Sequence, residues 1–171
     1  MQQHVYTAKR KKIIGQSWSI WIYVAMQLVF TVFFVVKWRD SYVWGMLLVN
    51  VVLGTLTIPG IILFIRYYRY SVSKRFIVTY NTLRYVDDKT GQFTELINTE
   101  IEKVILVKTT RKSQNLLPWV SYEYFILMDS KGNKIIITSY FMSLGEFWMD
   151  TLRARVSSDN IVIEEKTYPW F

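Results

Sequence analysis

Two stretches without a charged residue, Ile13 to Val36 and Ser41 to Ile65, lie almost back to back near the start of the chain. At about 1.5 Å per helical residue, each is long enough to cross a hydrocarbon core roughly 30 Å thick. Only Lys37-Trp38-Arg39-Asp40 separates them. The first third therefore reads as a two-span membrane hairpin, and about a hundred residues of different character follow.

Charge and residue usage narrow the functional classes. Cysteine is absent, which excludes disulfides, thiolate metal ligands, Fe–S clusters and a thiol nucleophile. The one histidine, His4, stands in a polar leader, so a Ser-His-Asp triad or a multi-histidine metal site is not expected. The net charge is +8. Lys9, Arg10, Lys11 and Lys12 precede the first span, and Arg66, Arg69, Lys74 and Arg75 follow the second. These eight positions match the whole excess and lie where topology signals belong, so no DNA or RNA partner is inferred. The positive-inside rule places both clusters, both termini and the soluble segment in the cytoplasm. The leader is not a cleavable signal, because its apolar run is too long and Lys37-Trp38-Arg39 follows it.

The chain divides into a basic leader (1–12), a transmembrane hairpin (13–65), a juxtamembrane linker (66–74) and a cytoplasmic β domain (75–171). Gln27 and Asn50 are costly in lipid, so both are expected to face protein, bonded to each other or to a neighbouring copy in a homo-oligomer. Gly54 and the other small residues of the second span suit close helix packing. A plain anchor and an oligomeric element that repacks are both compatible with this pattern. Pro59 is expected to kink or end the second span. Trp18, Trp21, Trp38, Tyr42, Trp44, Tyr67, Tyr68 and Tyr70 form aromatic belts at the interfaces.

Beyond Arg75 short strands alternate with turns. Strands are predicted over 75–80, 83–87, 92–97, 102–110, 121–128 and 134–140. Asp88-Lys89-Thr90-Gly91 and Asp129-Ser130-Lys131-Gly132-Asn133 supply turns. A helix is then predicted from Ser143. Ser143 and Glu146 have capping-box spacing, and Leu144, Phe147, Trp148, Thr151, Leu152 and Val156 form one stripe. Ile161-Val162-Ile163 is a candidate last edge strand. The apolar tail Thr167 to Phe171 has no role legible from pattern.

The run KIIITSYFMSLGEFWMDTLRARV, Lys134 to Val156, carries a resemblance. A final strand entering a Ser/Phe corner and a helix with Glu-Phe near its start resembles bacterial domains of the pleckstrin-homology (PH) superfold attached to paired transmembrane helices. The resemblance covers roughly Arg69 to Val156. It implies a membrane α-hairpin plus an antiparallel β-barrel or sandwich of six or seven strands capped by a C-terminal helix. It also implies packing as the role of Trp148. A weaker resemblance, in length and hairpin, is to two-transmembrane β-barrel effectors of bacterial cyclic-nucleotide antiphage systems. The first β-hairpin, Tyr80-Asn81-Thr82, lacks the Lys-x-Arg pattern of phosphoinositide-binding PH domains, so that ligand is not carried over.

The best candidate surface runs from Lys108 through Arg111 and Lys112 to Leu116-Leu117-Pro118-Trp119. Lys108, Arg111 and Lys112 can meet an anionic lipid or a phosphate-bearing ligand such as a cyclic nucleotide, with Trp119 or Tyr122 stacking on a base. The same Leu and Trp can instead fold back as core. The paired carboxylates Asp87-Asp88, Glu100 and Glu102, and Glu164-Glu165 fall in a turn, beside a strand and in the tail and read as no catalytic pair, and no Gly-rich phosphate loop, EF-hand pattern or HExxH helix occurs, so neither enzyme activity nor a cofactor or metal is expected. Three functions fit: a membrane-anchored binding or sensing protein, a cyclic-nucleotide-gated effector that oligomerises and disrupts the bilayer, and a bacteriocin-immunity or structural subunit. All three sit in the bacterial inner membrane.

Overall fold

The computed structural model describes residues 4–37, 43–110, 117–142, 145, 152 and 156–171. Strand β1 (His4–Thr7) leads into helix α1 (Arg10–Lys37), and helix α2 (Val43–Ser71) returns. The strands β2 (Lys74–Val78), β3 (Thr82–Asp87), β4 (Phe93–Ile97), β5 (Ile101–Thr109), β6 (Tyr124–Asp129), β7 (Lys134–Thr138) and β8 (Ile161–Lys166) follow. They form two four-stranded sheets, ordered β1-β2-β3-β4 and β7-β6-β5-β8.

The predicted strands and turns from Arg75 to Tyr140 appear within a few residues of their expected bounds. Gly91 and Gly132 occupy the two turns with φ of 69° and 84°, the left-handed region that a side chain disfavours. At the second turn the Asp129 carboxylate accepts the backbone N–H groups of Lys131 and Asn133 at 3.0 and 2.7 Å, closing the β6–β7 hairpin.

Two features depart from expectation. The leader is not merely a basic tail: His4–Thr7 pairs antiparallel with β2, His4 opposite Val78 and Thr7 opposite Arg75. The helical hairpin is thus an insertion between the first two strands of one sheet, and the boundaries drawn at 12/13 and 74/75 cut across this pairing. The sheets are also not wholly antiparallel, because β8 runs parallel to β5, from Val104↔Ile161 to Thr109↔Lys166. The long connection after β7 makes that crossover sterically possible. Of the two outcomes expected at Pro59, a kink or an end, the end does not occur, because α2 continues through it to Ser71. The strand expected at Ile161 is present and is an edge, as read. The helix expected over Ser143–Val156 lies mostly outside the described residues, and Leu152 and Val156, two residues of its stripe that are described, are buried in the core between the sheets.

Two cores share the second sheet. On one face Val104, Phe125, Leu127, Ile135 and Ile137 meet Phe76, Val78, Leu83 and Leu96 of the first sheet. On the other face Ile105, Val107 and Tyr124 meet Ile13, Ile20, Leu63 and Tyr67 of the helices. Side chains alternate along a strand, so burial of both faces demands the unbroken apolar runs VILV and YFILM. The helices contribute single stripes: Ile13, Ser17 and Ile20 on α1, and Thr57, Gly60, Leu63, Tyr67 and Ser71 on α2. Gln16 clamps the base of α1, donating to the Ser139 carbonyl at 3.0 Å and accepting from the Ser139 hydroxyl at 3.0 Å.

The far halves of both helices extend away from the sheets. Each helix is long and apolar enough to cross a membrane, and only 11% and 17% of their most apolar windows are buried. Between them Asn50 Oδ1 accepts hydrogen bonds from Gln27 Nε2 at 3.3 Å and Thr31 Oγ1 at 3.0 Å. Asn50 Nδ2 donates back to the Met46 carbonyl at 2.9 Å. Gly54, by contrast, meets only its own helix: a Cβ there would have the Ile58 side chain at 3.9 Å as its one neighbour. The close approach is at Gly60, where a Cβ would lie 2.8 Å from Pro118 Cβ and 3.2 Å from Ile20 Cγ1. Gly60→Ala is therefore expected to destabilise the protein in detergent by about 1–3 kcal/mol through overpacking. Gly54→Ala is expected to leave the unfolding midpoint unchanged or slightly raised, and equal losses for the two would refute this account.

Candidate anionic-ligand groove

The last turns of α2 place Ile62, Ile65, Arg66, Arg69 and Tyr70 on one face, at the three- and four-residue spacing of a helix. After the turn at Val72-Ser73, β2 starts with Lys74. Together with Phe171 these residues line an open groove of about 650 Å³. Its lining combines apolar side chains, Ile62, Ile65 and Phe171, with three cations, Arg66, Arg69 and Lys74.

Phe171 is held in place by its neighbours. Its ring lies 4.9 Å from that of Tyr67, 4.9 Å from that of Tyr70 and 5.2 Å from that of Tyr124, edge-on in each case. Tyr67 donates to the Pro169 carbonyl at 3.0 Å and Tyr124 to that of Trp170 at 2.6 Å. The tail that had no legible role is thus a structural wall. The Arg66 guanidinium sits 5.5 Å over the Phe171 ring, and Lys74 Nζ sits 3.7 Å over Tyr70 and 5.2 Å over Tyr85. Partial burial lowers the pKa of Lys74, opposed by the nearby Asp87 carboxylate.

Ion pairing separates this groove from other basic positions. Arg75 pairs with Asp88, Arg84 with Glu95 and Lys131 with Glu100, all at 3.0 Å or less. Among the described residues, no carboxylate pairs with Arg66 or Arg69, and both arginines are exposed.

Of the site residues predicted around Lys108, the structure describes Lys108, Trp119 and Tyr122. Lys108 is ion-paired at 3.0 Å with Glu165, which β8 brings opposite it. Arg111 and Lys112 lie outside the described residues. Trp119 and Tyr122 are buried in the core beneath the helices, which removes them from base stacking. Trp119 packs on Tyr168 at 5.0 Å, and its carbonyl accepts from Thr109 Oγ1 at 3.3 Å. Tyr122 is wedged between Tyr67 and Tyr140. The physical reason is that Leu117 to Tyr122 form the seat of the helical hairpin, with Pro118 against Gly60 and Ser121 Oγ donating to the Gln16 carbonyl at 2.8 Å. In the sequence these residues are visible as the basic cluster Arg66, Arg69 and Lys74, which reads there as a topology signal.

Two outcomes follow from the burial of this aromatic cluster. Trp119→Ala is expected to lose about 3–5 kcal/mol of stability, as for a core aromatic, measured by unfolding in detergent. Burial also raises the phenol pKa values of Tyr85 and Tyr122, and pushes that of Tyr140 up to about 12. The unfolded value is near 10, so between about pH 10 and 12 the folded chain binds more protons than the unfolded one. The stability these phenols contribute should be constant below that window and be lost as pH rises through it. Absorbance at 295 nm is then expected to show a phenolate fraction appearing only together with loss of the native circular dichroism.

Comparison with known proteins supplies the family. A family model described as PH domain matches residues 5–148. The match begins within β1, spans both helices and runs past β7 to residue 148, so it reaches far N-terminal of the segment that carries the resemblance in the sequence and ends inside it. No curated protein matches the chain. Most of the chain, helical hairpin included, falls inside the match, and the protein belongs to the PH-domain family.

Proposed function

We propose that this protein is a membrane-anchored binding module, without catalysis, in which a PH domain is seated against the cytoplasmic face of a bilayer by its own helical hairpin. The groove of Arg66, Arg69 and Lys74 then receives an anionic ligand. One observation carries the reading: two exposed arginines without an acidic partner among the described residues open onto a groove walled by apolar side chains. Guanidinium groups offer a planar fork of donors that matches phosphate and carboxylate oxygens.

The membrane assignment is supported by the exposure of Leu28, Val32, Val36, Val43, Leu47 and Val51, which a soluble fold would have to cover. It is also supported by the internal pairing of Gln27, Thr31 and Asn50, which spares lipid from their polar groups. Trp18 and Trp21 are exposed near one end of the free segment and Trp44 near the other, as interfacial anchors should be. Both basic clusters then fall on the cytoplasmic side. Nucleotide sensing has less support, since the rings assigned to stacking are buried.

Two measurements test the reading. The full chain is expected to stay with membranes through a urea wash and to require detergent for release. Solubility without detergent would reject the anchor. In detergent, a panel of dispersed phosphatidylglycerol, inorganic phosphate and cyclic dinucleotides should include at least one compound that raises the unfolding midpoint. A ligand at a hundred times its Kd stabilises by about 2.7 kcal/mol. The double variant R66Q/R69Q should lose that response. No response to any anion would reject the binding reading.

A further inference from the structure

The groove lies where α2 changes character. Ile58, Ile62 and Ile65 are exposed on the helix, and Arg66 and Arg69 follow within a turn. From Ile62 to Arg69 the helix rises about 10 Å, comparable to the distance from a glycerol phosphate into the upper acyl region. Phe171, brought in by the tail, and Tyr70, one turn further along the helix, complete the lining beside this step. A free phosphate would satisfy the cations but leave Ile62, Ile65 and Phe171 without a partner. A molecule with an anionic head and a hydrocarbon body meets both.

We infer that the groove holds one anionic phospholipid of the cytoplasmic leaflet, its phosphodiester against Arg66, Arg69 and Lys74 and an acyl chain along Ile62 and Ile65. This inference rests on the binding reading above and names its ligand. The lipid lies at the seam between helix, sheet and tail, since Phe171 reaches the groove while packed on Tyr67 and Tyr124. It therefore binds the PH domain to the bilayer at a second point beside the hairpin. The site is also separate from the first β-hairpin at Tyr80-Asn81, which lies at the far end of β2 from Lys74.

Native mass spectrometry of the full-length protein released from micelles reads this directly. With phosphatidylglycerol present, one lipid is expected to be retained per chain, at least tenfold over phosphatidylcholine. R66Q/R69Q should lower retention at least tenfold, while R66K/R69K, which keeps the charge, retains most of it. The variant I62T/I65T leaves the cations in place, so it should weaken lipid retention but not any response to inorganic phosphate. It decides the matter should R66Q/R69Q fail to fold. A hundredfold excess of deacylated glycerophosphoglycerol should not displace the lipid. If that soluble headgroup or inorganic phosphate competes equally, the groove is a soluble-anion site, and the lipid inference falls while the binding reading stands. Retention unaffected by R66Q/R69Q overturns the lipid inference by placing the lipid elsewhere. Failure of every anion to bind overturns both.

Discussion

The structure depends on a core that belongs to neither the helices nor the β domain alone. Tyr67 stands at its centre, fully buried near the end of α2. Its ring meets Tyr122, Tyr124, Tyr140 and Phe171, and its hydroxyl donates to the tail. Aromatic pairs of this geometry each add about 0.5–1.5 kcal/mol beyond the area they bury. Because these contacts link the helical base, the second sheet and the tail, none of the three can be displaced without exposing the others. The hydrogen bond between Ser71 and Thr138 at 2.7 Å, inside the same seam, ties the end of α2 to β7.

That shared core explains the placement of the groove. The apolar stripe from Thr57 to Ser71 is spent on the sheet, so the remaining face of α2, from Ile62 to Arg69, is turned away from it. The tail covers part of the seam and ends with Phe171 beside Arg66. The groove is what remains between a helix leaving the domain and the segment that seals its base. Basic side chains each gain about 1 kcal/mol near an anionic membrane surface, so in the proposed reading the topology signal and the ligand groove would have one electrostatic origin.

Much of the local structure was legible because it is encoded by period. The absence of charge over twenty or more residues marks both helices, short apolar or alternating runs separated by turns mark β2 to β7, and glycine marks the turns at 91 and 132. Gln27 and Asn50 were readable as protein-facing because their polarity is costly in lipid. The candidate site was less legible. Trp119 and Tyr122 beside basic residues look like a recognition loop, yet an exposed and a buried aromatic leave the same signature in a sequence. The unbroken runs VILV and YFILM did contain a usable signal. A strand apolar at every position needs cover on both faces, and only the helical hairpin was available for the second.

By itself the sequence determined the two long apolar helices, the order of most strands, the turns and the lack of thiol or multi-histidine chemistry, since each follows from composition or spacing within a few residues. Only the tertiary structure decided that His4–Thr7 pairs with β2 across the whole hairpin, that β8 joins β5 in parallel, and that the tail seals the aromatic seam. It alone turned Trp119 inward and set Phe171 beside Arg66. These outcomes join residues tens of positions apart. Their partners are chosen by which apolar surfaces remain to be covered once the local elements have formed, a competition that no short window of sequence records.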